Sequence, residues 1–156
     1  MKNKTTHDLL KLASVISVPK DTLAPTVFDS TNKLLPRVRK YILETILKVV
    51  PSEDIRGMYI RGSITGYKYN ENSDVDVDVA IENWDESISK VRLTRQINGN
   101  TAPNSTHPID FYLNPWDEMY EINLSKSSVG VYDVLANGWL TPPGDRNEVR
   151  HPKEEF

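Results

Sequence analysis

The stretch Ser73 to Ile81, SDVDVDVAI, alternates aspartate and valine without interruption. Alternate side chains of a strand point to one face, so the spacing predicts a β-strand with Asp74, Asp76 and Asp78 on one side and Val75, Val77 and Val79 on the other. The valine face suits a core. The aspartate face does not, because carboxylates this close repel one another and lose hydration on burial. Two explanations fit such a strand. In one it lies at a sheet edge and its charges deter pairing with another chain. In the other, cations neutralise the acids: alternate strand residues lie roughly 6–7 Å apart at the backbone, close enough for flexible carboxylates to converge on one divalent ion, and hard oxygen ligands suit magnesium or manganese. A calcium loop of the D-x-D-x-D type is excluded, since it needs glycine at its sixth position and polar residues between the acids, where this chain has Val79 and valines.

Composition narrows the choice of ligand. The chain has no cysteine and three histidines, so disulfides and thiolate sites are excluded and a metal would rest on oxygen ligands or scattered imidazoles. Its 156 residues, 38% hydrophobic and 26% charged, suit one folded domain. No apolar run approaches the roughly 20 residues of a membrane span. The opening MKNKTTHDLLKLASVISV has polar breaks and no cleavage pattern, so cytoplasm is the expected location. A net charge of −3 argues against a general nucleic-acid binder. The charge is unevenly placed, however: seven acids and no lysine or arginine lie between Glu71 and Ser89, with Lys33, Arg37, Arg39 and Lys40 before them and Lys90, Arg92 and Arg95 after.

The expected organisation is a single domain over 1–156, with an N-terminal helix and loop (1–34), a core (35–113), and a C-terminal hairpin and tail (114–156). Apolar spacing predicts a short helix over His7 to Ile16, then a surface loop over 17–33. A stronger helix begins at Pro36, which suits a first helical position, and runs through Val38, Tyr41, Ile42, Ile46 and Val49 to Pro51. GMYIRGS (57–63) and PIDFYL (108–113) read as further strands. Asn83 with Glu86 resembles a capping box opening a helix that stops at Asn98-Gly99. Asn137-Gly138 between apolar flanks predicts a β-hairpin, with a short helix over Tyr132 to Ala136 as the competing reading. The class expected is α/β (α+β), a small mixed sheet with helices packed on one face and carboxylates at the edge of the other.

Two further features bear on the aspartates. Gly62-Ser63 follows an apolar strand, with ten residues between Ser63 and Asp74; glycine there admits backbone N–H groups close to a phosphate, and the serine hydroxyl adds a donor. Gly-Ser alone also occurs in many turns. Asp110 lies between Ile109 and Phe111, and an acid inside an otherwise apolar strand must be paired, metal-bound or at the strand end. His107 and the aromatics Tyr67, Tyr69 and Trp84 are candidate substrate contacts, with a half-exposed loop histidine and ordinary packing as the simpler readings.

Taken together, YIRGS, SDVDVDVAI and PIDFYL resemble the polymerase-β-like nucleotidyltransferase superfamily over about residues 55 to 113, and in particular its small single-domain members, some of them phage-encoded. The narrower likeness rests on GSITGYKYNENSDVDVDV and GVYDVLANGW. The resemblance implies that Gly62 and Ser63, with Ser73 and Lys68, bind a nucleoside triphosphate. It implies that Asp74 and Asp76 hold two Mg2+ (or Mn2+) ions, and that Asp110 joins at the catalytic ion and helps deprotonate an attacking hydroxyl. The competing metal pair is Asp76 and Asp78. Many members carry arginine and glycine shortly after Gly-Ser, where this chain has Thr65-Gly66, so Lys68, Arg61, Arg92 or Arg95 is left to meet the phosphates. The implied activity is transfer of a nucleoside monophosphate to a small-molecule, protein or RNA-end acceptor, with a protein partner completing the acceptor site; in the phage case the setting is the host cytoplasm. The alternatives are a nucleotide- or protein-binding module without turnover, and a structural protein with an acidic strand and no metal dependence.

Overall fold

The computed structural model describes residues 19–84, 97–117 and 130–144. The helix expected over His7 to Ile16, the body of the one expected after Asn83, and most of the C-terminal tail lie outside them.

The described chain is a mixed α+β structure: one α-helix and a six-stranded sheet. Helix α1 spans Pro36–Leu47 and opens on its proline, whose fixed φ and missing N–H suit a first turn. Val38, Ile42, Thr45 and Ile46 form its buried stripe at helical spacing. Past its end the Val49 and Val50 N–H groups both bond the Ile46 carbonyl, and Pro51 prevents continuation.

The strands are β1 (Ile55–Arg61), β2 (Val75–Ile81), β3 (Asn100–Thr101), β4 (Pro108–Pro115), β5 (Val131–Asp133) and β6 (Gly138–Thr141), in the spatial order β3-β4-β2-β1-β5-β6. β2 is an interior strand, antiparallel to β1 and parallel to β4, which removes the edge-strand explanation for its charges. Both neighbours use the period-two pattern in step with it. Met58 and Ile60 of β1, Val75, Val77 and Val79 of β2, and Ile109, Phe111 and Leu113 of β4 are all at most 1% exposed, in one core with α1. The opposite face carries Arg61, Asp76, Asp78, Asp110 and Tyr112.

The Asn137-Gly138 segment is a hairpin: β5 and β6 pair antiparallel with Asp133 opposite Gly138, and Asn137 takes the left-handed turn conformation at φ 56. The surface loop over 17–33 is corrected: Leu23, Ala24, Val27 and Phe28 are at most 2% exposed. A tight turn, in which the Phe28 N–H bonds the Ala24 carbonyl, puts these four on one side, and Phe28 stacks on Trp139 at 5.2 Å. Asn83 is not a helix cap of the expected kind, since its φ is 57 where a cap residue is extended. No helix among the described residues is long and apolar enough to cross a membrane.

Candidate metal centre

Strand pairing alone sets the spacing of the acids. In the parallel β2/β4 ladder Asp76 stands opposite Asp110, and in the antiparallel β1/β2 ladder Arg61 stands opposite Asp76. Opposed residues share a face. Asp74, one residue before β2, completes the group: one carboxylate oxygen from each of Asp74, Asp76 and Asp110 lies within 4.8 Å of the others. Asp74 is exposed and the other two are half-buried.

The electrostatics are unfavourable as they stand. Burial, then the charges of Asp74, Asp110 and Asp78, push the Asp76 carboxyl up to about 6, against a smaller opposing effect of Arg61. Burial and the Asp74 charge likewise raise Asp110, while a hydrogen bond from the Gly99 N–H lowers it. The Asp76 Oδ1 atom is buried without a hydrogen-bond partner among the described residues. A buried acceptor left bare costs about 1–3 kcal/mol, and a cation between the three carboxylates would satisfy it. The donor set, all hard oxygen, fits Mg2+ or Mn2+.

Asp78 is not a member of this group. It is 3% exposed and forms an ion pair with Arg61 through the guanidinium Nε. Burial still raises its pKa, with Arg61 opposing. Of the two metal pairs that the alternation allows, the geometry assembles Asp74 with Asp76.

Gly62, directly after β1, takes φ 100 and ψ −167, a conformation open to glycine and strained for other residues. A Cβ there would also stand 3.2 Å from Asp76 Oδ2. The Gly-Ser turn thus lies directly against Asp76 of the acidic group, with Ser63 exposed at the start of a single 3-10 turn held by Thr65, whose N–H and hydroxyl both bond the Gly62 carbonyl. Ser73 is buried; its hydroxyl accepts the Asn70 N–H at 2.9 Å and closes the turn leading into Asp74. Lys68 is exposed in the connection between β1 and β2. Arg92 and Arg95 lie outside the described residues.

His107 is buried at 4%, not half-exposed, with Nδ1 2.8 Å from the Ser73 carbonyl oxygen. A carbonyl only accepts, so Nδ1 carries the proton and the imidazole ties the loop before β4 to the loop before β2. Tyr69 is buried, donating its hydroxyl to the Thr22 carbonyl, and Tyr67 and Trp84 pack on the core. Two aromatics stand opposite Asp78, the buried Tyr59 on β1 and, on β4, Tyr112, which is 46% exposed. Asp76 first, then burial and the other carboxylates, raise the Tyr112 phenol. The signal for it was present in the sequence: Tyr112 is two residues from Asp110 and so shares its face.

Fold and site together define an α+β domain with an acidic sheet face suited to a divalent cation. No protein-family model matches the chain, and no curated protein and no solved structure matches it.

Proposed function

We propose that the chain is a metal-dependent nucleotidyltransferase of the polymerase-β-like fold, which transfers a nucleoside monophosphate from a nucleoside triphosphate to a hydroxyl acceptor and releases pyrophosphate. One observation carries the reading: three separate segments meet on one face, Gly62-Ser63 after β1, Asp74 and Asp76 at the start of β2, and Asp110 on β4. Asp74, Asp76 and Asp110 would hold Mg2+ or Mn2+, which when bound neutralises phosphoryl oxygens and lowers the pKa of an attacking hydroxyl. Ser63 and the backbone of its turn offer donors to phosphate oxygens beside those ligands. Asp110, on the β4 side away from Gly62, receives the proton of the acceptor hydroxyl. The interior strands keep these groups at fixed separations, so positioning and charge compensation are the chain's share of the catalysis.

The acceptor is a small molecule, a protein or an RNA end. A protein partner that completes its site belongs to the same proposal. One observation favours a second reading, nucleotide binding without turnover: Thr65, which stands where many members carry an arginine shortly after Gly-Ser, is 1% exposed with its hydroxyl turned to the Gly62 carbonyl, so no cation replaces that arginine there.

Calorimetry with Mn2+ and with the four nucleoside triphosphates in Mg2+, joined to a pyrophosphate-release assay, tests the proposal. The wild type is expected to bind metal and triphosphate, and Asp74→Asn/Asp76→Asn to bind neither. A double variant that binds both as the wild type does refutes it. Triphosphate binding with no pyrophosphate release in the presence of any acceptor class selects the second reading.

A further inference from the structure

The third acid of the alternating strand has a partner that the proposed chemistry has not used. Arg61 is the last residue of β1, adjacent to Gly62 and opposite Asp76. Its Nε donates to Asp78, whose side chain is 5% exposed while that of Arg61 is 50% exposed. For stability alone an apolar pair would serve as well at such a place. The arrangement also solves a specific problem. A long guanidinium side chain beside Asp74, Asp76 and Asp110 would fold onto those carboxylates and occupy the cation's position. Asp78 holds it to one side through Nε, and the terminal nitrogens are the guanidinium's remaining donors. A planar fork held in this way matches the oxygens of a phosphoryl group, which it can take two at a time.

Resting on the nucleotidyltransferase reading, we infer that Arg61 is the residue that binds a phosphoryl oxygen of the substrate, and that Asp78 is its positioning residue and not a metal ligand. The basic residue that many members place after the Gly-Ser turn is here supplied from directly before it. Lys68 is exposed in the connection beyond the turn, whereas Arg61, among the described residues, is the cation whose charge reaches Asp76.

The test uses the full chain and two probes: Mn2+ alone, by electron paramagnetic resonance, and inorganic tripolyphosphate with Mg2+, by calorimetry. Arg61→Gln leaves Asp78 buried without its partner and endangers folding, so the central variant is Arg61→Gln/Asp78→Asn, which removes both charges at nearly constant shape. It is expected to bind Mn2+ within about threefold of the wild type and tripolyphosphate about 10- to 100-fold more weakly, the usual effect of losing a charge-assisted pair of hydrogen bonds. Asp78→Asn alone releases Arg61 onto the triad, so its Mn2+ affinity is expected to fall about tenfold and to be restored by adding Arg61→Gln. A double variant that loses Mn2+ binding as Asp78→Asn does makes Asp78 a ligand and overturns the inference. So does a double variant that binds tripolyphosphate as tightly as the wild type, with the nucleotide reading left standing. A wild type that binds Mn2+ but no tripolyphosphate overturns both.

Discussion

Replacing Asp76 by asparagine is expected to stabilise the metal-free protein and to abolish its stabilisation by metal. The carboxyl sits between Asp74 and Asp110 with one oxygen buried and unpartnered, and its pKa is pushed up to about 6 from an ordinary 3.8. Two units of pKa correspond to about 3 kcal/mol; because the residue is only half-buried, solvent screening reduces the realised penalty to about 1–2 kcal/mol. The sign follows from proton binding. Between the unfolded value of about 4 and the folded value, the native state binds the proton more tightly than the unfolded state does. The stability this lends is fully present below pH 4 or so and is lost as pH rises through about 6. Urea titrations in EDTA should therefore show Asp76→Asn and the wild type nearly equal at pH 4, where asparagine mimics the protonated acid, and the variant about 1–2 kcal/mol more stable at pH 7.5. Adding Mg2+ at about a hundred times its dissociation constant should stabilise the wild type by about 2.7 kcal/mol and leave the variant unchanged, which reverses their order. A variant that is less stable than the wild type at pH 7.5 without metal, or a difference that does not change with pH, would refute the account of Asp76 as a carboxylate held in place for a cation.

Two further substitutions test how the backbone holds the site. Gly62→Ala places a Cβ at φ 100 and 3.2 Å from Asp76 Oδ2; a loss of about 1–2 kcal/mol in urea melts is expected from the backbone alone, together with weaker Mn2+ binding by titration as Asp76 is displaced. Asn98→Ala removes the side chain whose amide accepts the Phe111 N–H at 2.7 Å and donates to the Phe111 carbonyl, next to the Gly99 N–H that bonds Asp110. A cost of about 1–3 kcal/mol is expected, with amide hydrogen exchange at Phe111 rising and metal affinity falling. Unchanged exchange at Phe111 would remove Asn98 as a support of β4.

The features legible in the sequence are those written in its local periods. Val38, Ile42 and Ile46 announce α1, Pro36 and Pro51 bound it, and Asn137-Gly138 marks the hairpin, because each is decided within a few residues. The burial of Leu23, Ala24, Val27 and Phe28 was not legible: proline and a Asp-Ser-Thr-Asn cluster correctly signal irregular backbone, yet irregular backbone can still bury its apolar side chains when a tight turn groups them and a distant partner such as Trp139 receives them. His107 misleads in the same way. Beside proline it reads as a surface residue, and only the meeting of two loops supplies the Ser73 carbonyl that makes its burial tolerable.

The aspartates show where the limit lies within a single strand. Alternation settles which face each acid takes, since a slip of one residue between neighbours would send every valine to solvent. It does not settle a slip of two. Shifted by two, β4 would place Asp110 opposite Asp78, every apolar residue would keep its face, and the metal pair would become Asp76 and Asp78. What separates the alternatives is the partner of the acid left over. In the observed register Arg61 stands opposite Asp76 and reaches diagonally to Asp78, so the acid farthest from Asp74 is the one neutralised by the chain itself. The three acids for which the described residues show no ion pair are those that converge. Choosing between the candidate pairs therefore required a long-range fact, the position of one arginine on the neighbouring strand, that no reading of the alternation contains.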